Sequence, residues 1–113
     1  MDIAVWLLRI SGGLTMVVFG INQIRKPEPW KEYFPKAFEK LLSFHPVIKV
    51  HAVFNIILGV LLLSGWYPII GSWLAFLWWL SIVPFAFQGS WKTGMRDLSI
   101  TLAMAALAVL VSL

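Results

Sequence analysis

The sequence predicts an all-α fold, an integral membrane four-helix bundle with a short interfacial helix between spans one and two. Composition is the first reason: the 113-residue chain is 60% hydrophobic and only 12% charged, against roughly 45–50% and about 25% for an ordinary soluble domain. Segmentation is the second. Apolar residues form four stretches, and four spans of about 20 residues would occupy about 80 residues. Little is left for a soluble domain, so residues 1–113 read as one transmembrane domain. The third reason is charge. A net charge of +4 and a pI near 9.8, in a chain of mean hydropathy +0.86, fit a cytoplasmic membrane face better than a nucleic-acid partner.

Span one covers residues 3–24, broken by Arg9, Asn22 and Gln23; roughly 22 residues at 1.5 Å each cross the ~30 Å hydrocarbon layer. It makes a poor signal peptide, because Asp2 stands where basic residues belong and Arg9 interrupts the apolar run. Retention is expected. From Arg25 to Pro46 the chain turns charged and proline-rich. Within that connection Phe34, Phe38, Leu41 and Leu42 fall at i, i+4, i+7 and i+8, the pattern of a short helix lying on the membrane.

Span two, residues 47–65, carries Lys49, His51 and Asn55 in its first half, and Lys49 is long enough to snorkel out. Gly65-Trp66-Tyr67-Pro68 is a short aromatic corner between antiparallel spans. Span three covers residues 68–87, where Pro84 is expected to kink or end the helix. A second polar loop follows, Gln88 to Arg96. Span four, residues 97–113, is rich in small residues: Ser99, Ala103 and Ala106 on one face, Thr101, Ala105 and Ala108 on another. Small faces permit close helix contact in lipid, and two of them suggest a homo-oligomer.

Four spans place both charged loops on one side, with Arg25, Lys26, Lys31, Lys36, Lys40, Lys92 and Arg96. Under the positive-inside rule those loops are cytoplasmic, and both termini lie outside the cell membrane.

The absence of cysteine excludes thiolate metal sites and dithiol redox chemistry by this chain. Only His51 is a buried haem-ligand candidate, and no carboxylates accompany the two histidines, so neither haem nor another metal site is expected. The polar residues of the spans carry what chemistry there is. Arg9 is an intramembrane charge, either an anion or headgroup site or an arginine tied to Asp2, the terminal carboxylate or lipid phosphate. His51 and Asn55, four apart, share a helical face, and Asn22 and Gln23 lie at comparable depth on span one. These four could form a polar pocket for a quinone carbonyl or another lipid-like head, with His51 able to move a proton; the alternative is a hydrogen-bonded fastener between helices. Trp66, Trp73 and Trp91 suit interfacial anchoring, whereas Trp78 and Trp79 have no assigned role.

Several motifs, in order, resemble the DoxX-like family of small four-helix membrane proteins. They are Arg9-Ile10-Ser11-Gly12-Gly13 with Gly20 and Arg25-Lys26; Lys26-Pro27-Glu28-Pro29-Trp30 with Tyr33-Phe34-Pro35; Asn55-Ile56-Ile57-Leu58-Gly59; Val83-Pro84; and Met95-Arg96-Asp97-Leu98-Ser99. Asn55 stands where that family usually has a glutamate. The resemblance implies subunits of quinone-linked oxidation, oxidoreductase partners or assembly factors. Two functions follow as expectations. One is an accessory or scaffold subunit that docks a membrane protein partner through the charged loop or span four. The other is a quinone- or lipid-binding component of an oxidoreductase, built around His51. No cofactor is predicted beyond that possible quinone. Transport is disfavoured, since one 113-residue bundle offers no evident aqueous path.

Overall fold

In a computed structural model, residues 3–34 and 43–113 are described. Four long helices follow in order: α1 (Ile3–Arg25), α2 (Phe44–Ser64), α3 (Pro68–Gly89) and α4 (Trp91–Ser112), with a 3-10 helix at Glu28–Tyr33 between the first two. Each of the four is long and apolar enough to cross a membrane, as a multi-pass membrane protein requires. The described residues contain no strand.

Two starts differ from the sequence expectation. α2 begins at Phe44 rather than residue 47, because Pro46 falls in the first helical turn, where no N–H is needed. α4 begins at Trp91 rather than residue 97, and the expected loop from Gln88 to Arg96 is mostly helix. Ser90 alone joins α3 to α4. Its Oγ accepts from the Thr93 backbone N–H at 3.1 Å, and its carbonyl accepts from the Gly94 N–H at 3.0 Å, so one residue both ends a helix and caps the next. Gly94 is a packing residue here: a Cβ would strike the Phe87 ring. Pro84 does not end α3, which runs on to Gly89.

The expected interfacial helix centred on Phe38, Leu41 and Leu42 lies outside the described residues; its first member, Phe34, has extended backbone after the 3-10 helix.

α1 packs along α2 and α3 along α4, while α2 touches α3 sparsely. The α1–α2 seam is close because glycines face each other: a Cβ on Gly59 would meet the Gly13 carbonyl at 2.8 Å, and one on Gly20 the Ala52 carbonyl at 2.8 Å. Small residues at such seams let dispersion act between backbones, which holds helices together where lipid removes the hydrophobic drive. Large aliphatic residues such as Leu7, Leu14, Val53, Ile57, Leu77 and Leu102 point outward. The interior instead buries Arg9, Gln23, Asn55, Ser72, Asp97 and Thr101 among Met16, Leu62, Trp79, Met104 and Leu107. On α4, Thr101 and Ala108 face in while Ser99 and Ala106 face out.

Candidate functional site

The inward face of α1 runs Arg9, Gly12, Met16, Gly20, Gln23, and that of α2 runs Ile48, Ala52, Asn55, Gly59, Leu62. These spacings of three and four residues bring Gln23 opposite Asn55 near the charged-loop end of the bundle. Asn55 Nδ2 donates to Gln23 Oε1 at 3.0 Å. His51 Nδ1 lies 3.3 Å from the same oxygen and 3.4 Å from Asn55 Nδ2. With its proton on Nδ1 the ring donates to Gln23; with the proton on Nε2 it accepts from Asn55, so either tautomer keeps a partner. Trp78 of α3 closes the cluster, donating its indole N–H to Asn55 Oδ1 at 2.6 Å and stacking on His51 with centroids 4.8 Å apart.

Asn22 is not in this cluster. One residue from Gln23 is about 100° around a helix, and that turn carries Asn22 to the outside, onto a surface groove with Val18, Ile21, Arg25 and Lys26. Of the four pocket residues expected from sequence, the fold brings together Gln23, His51 and Asn55.

Beside the cluster lies a largely enclosed cavity of about 70 Å³, lined by Phe19, Gln23, Trp30, His51, Asn55, Trp79, Ile82, Phe85 and Asp97. One water needs only ~10–15 Å³ on this measure, so the space is molecular in scale. One N–H donor on its lining residues is buried with no acceptor among the described residues: the indole N–H of Trp79, which is 2% exposed. Buried donors normally find acceptors, and each exception calls for an explanation. Asp97, also buried, contributes a carboxylate held by Arg96 Nε at 3.0 Å, and the Arg96 guanidinium lies over the Phe19 ring. Trp30, on the 3-10 helix, meets Phe19 edge-on at 5.2 Å and covers the cavity from the loop side. The loop is held down by Gln88 Nε2, which donates to the Phe34 carbonyl, and by an exposed cluster in which Glu28 pairs with Lys31 at 2.9 Å and His45 at 3.2 Å.

No match came from protein-family models, curated proteins or solved structures. The chemistry must therefore be read from the cavity itself. Its walls are largely aromatic and aliphatic with polar groups from Gln23, His51, Asn55 and Asp97, and its unmet group, the Trp79 indole N–H, is a donor. Such a lining can accommodate a largely apolar group that carries a hydrogen-bond acceptor.

Arg9 stands at the opposite end. It is 1% exposed; its Nε donates to the Leu62 carbonyl at 3.0 Å, and its guanidinium lies 4.9 Å from the Trp6 ring. Leu62 is in the last turn of α2, whose C-cap Gly65 has φ +82°. A cation there satisfies an orphan carbonyl and opposes the negative end of the helix dipole. In this contact Arg9 closes the end of a neighbouring helix.

Sequence reasoning missed Asp97, Trp78 and Trp79. Asp97 passed for a residue at a helix mouth because α4 was expected to start there. Its signal was the spacing Gly94, Asp97, Thr101, Met104, which is the buried face of α4.

Proposed function

We propose that this chain is a multi-pass protein of the cell membrane that holds the head of a quinone-class lipid in the cavity between its helices, as the ligand-binding accessory subunit of a membrane oxidoreductase. One observation carries the reading: the buried indole N–H of Trp79 lines an aromatic-walled cavity without an acceptor of its own. A quinone head is flat, apolar at its faces and bears carbonyl acceptors, so it supplies the acceptor that the Trp79 N–H lacks. His51 and Asp97 are the titratable side chains on the cavity wall. When a quinone is reduced it takes up two electrons and two protons; His51 is the wall residue that can relay protons drawn from water, while Asp97 is held as a carboxylate by Arg96. The electrons come from a bound cofactor or a partner, because the chain has no cysteine for dithiol redox chemistry. The motif resemblance to DoxX-like proteins supports the same assignment, and the one-sided Lys and Arg distribution puts the charged loops in the cytoplasm and both termini outside. Outward-facing Ser99 and Ala106 supply the surface for a second copy.

The test is binding of 2,3-dimethoxy-5-methyl-1,4-benzoquinone, which has no tail, to the protein in lipid nanodiscs. Saturable binding that weakens about tenfold in Trp79→Phe supports the proposal; no saturable binding to the folded protein sinks it. A second reading is favoured by the hydrogen bonds that already join Gln23, His51, Asn55 and Trp78 to one another. On that reading the cluster is a fastener in a scaffold subunit, and His51→Gln preserves both assembly and partner capture. Outside labelling of Lys36→Cys in intact cells would overturn the orientation.

A further inference from the structure

Trp78 has two sides. On one it stacks on His51 and bonds to Asn55, both on the cavity wall. On the other it lines an open groove of about 390 Å³ with Phe54, Leu58, Leu74, Leu77 and Ser81. The groove lies on the outer surface between α2 and α3, since Phe54, Leu74 and Leu77 are about half exposed. It runs along the seam where these helices touch sparsely, in contrast to the close seams of α1 with α2 and α3 with α4. A polar cluster and a lipid-facing apolar groove are therefore separated by one indole. Its hold on the polar side is one hydrogen bond and one stack, while Phe54 meets it at 5.7 Å on the groove side.

We propose that Trp78 is a lateral gate: the ligand enters from the bilayer between α2 and α3, and its hydrocarbon tail rests in the Phe54–Leu58–Leu74–Leu77 groove while its head occupies the cavity. This rests on the proposed quinone-class site and adds that the ligand is long-tailed and arrives through the membrane side. Continuity names the occupant. The groove lies directly across Trp78 from residues that wall the cavity, and its lining is aliphatic and aromatic apart from Ser81. Ser81 Oγ donates to the Trp78 carbonyl at 2.6 Å, so the hydroxyl is already engaged. A flexible hydrocarbon gains dispersion contact with such a lining.

The experiment uses a benzoquinone bearing a ten-carbon tail with a diazirine at its end, photolysed on the whole protein in nanodiscs and mapped by mass spectrometry. A diazirine phospholipid serves as the control for bulk lipid contact. Labelling concentrated on residues 54–58 and 74–81, and displaced by excess tail-less dimethoxybenzoquinone, is the expected result. Leu77→Trp, which fills the groove, is expected to weaken the tailed probe about tenfold and the tail-less probe less than twofold; Leu74→Trp repeats the test should the first variant fold poorly. If the tail-less probe binds but the tail labels the protein as bulk lipid does, the gate and groove are wrong and the cavity assignment stands. If labelling of the groove is not displaced by the tail-less head, the groove holds ordinary lipid and the proposal is equally overturned. If neither quinone binds, both assignments fall together.

Discussion

Substituting Gly20 by alanine tests whether the α1–α2 seam positions the polar cluster. An added Cβ would lie 2.8 Å from the Ala52 carbonyl oxygen and 2.6 Å from Ile56 Cγ1. Ile56 can turn aside, but a helix carbonyl cannot, so the helices must part until the contact reaches an ordinary 3.4 Å, a shift of about 0.6 Å. The same shift would stretch the Asn55–Gln23 bond from 3.0 Å to about 3.6 Å, beyond hydrogen-bond range. Overpacking costs about 1–3 kcal/mol, and two interhelical bonds to Gln23 add roughly 0.6 kcal/mol each. Alanine's better helix propensity returns about 1 kcal/mol. The net expectation is a loss of about 2 kcal/mol, a factor of roughly 30 in the folded-to-unfolded ratio, together with loss of tail-less quinone binding. Gly12→Ala is the matched control. Its Cβ would meet Met104 Cε and Sδ, both at 2.6 Å; these are the end of a flexible side chain that can turn away, so a change below about 0.5 kcal/mol is expected after the propensity gain. Equilibrium unfolding in mixed detergent micelles, followed by far-UV circular dichroism, compares the two. Equal stability of Gly20→Ala and Gly12→Ala, with binding retained, would refute the claim that backbone contact at Gly20 sets the site.

Trp79→Phe removes an N–H that meets no acceptor, so stability is expected to hold or rise slightly while tail-less quinone binding weakens about tenfold, or ~1.4 kcal/mol; unfolding and binding on one sample check both. Arg9→Met strips a buried carbonyl of its charged donor and is expected to cost about 1.5–3 kcal/mol, yet to leave quinone binding within twofold because it acts at the far end of the bundle. In the loop, the hydrogen bond from Lys31, aided by its charge and by His45, holds the Glu28 carboxyl below the ordinary glutamate range. The group favours the folded loop above its ordinary pKa, and that contribution is lost as pH falls through the lowered value. A carboxyl carbon NMR titration of Glu28 that moves up in Lys31→Ala, toward the ordinary value, is the expected result.

Four apolar segments were legible in composition because lipid, like a core, demands apolar surface over a fixed length. Boundaries were less legible: Pro46 was taken as a breaker, and the polar stretch from Gln88 to Arg96 as a loop. Pro46 sits where a first turn needs no donor, and Gly94 is small because Phe87 lies against it. The pairing of His51 with Asn55 followed from their spacing, but choosing between Asn22 and Gln23 required knowing which face of α1 is interior. Hydrophobicity points the wrong way in a membrane, where leucines face out and small or polar residues face in. The repeat that marks the interior is Gly12, Met16, Gly20, Gln23 on α1 and Gly94, Asp97, Thr101 on α4. Trp78 and Trp79 could not be placed without the tertiary fold, since adjacent residues on one helix face different neighbours.

The single-residue joint at Ser90 has a mechanical consequence. With no slack between them, α3 and α4 cannot slide past each other at that end, and at the other end Trp73 Nε1 donates to Ser112 Oγ at 2.9 Å. Pinned at both ends and packed between, the pair behaves as one beam. α1 and α2 form a second beam, clasped by their glycines and by Arg9 over the last turn of α2. α1 also packs on α4 and the 3-10 helix on α3, so the two beams stay joined along those contacts, and the seam they share most sparsely is the one between α2 and α3. An opening at that seam would swing Trp78 off His51 with no internal element having to melt.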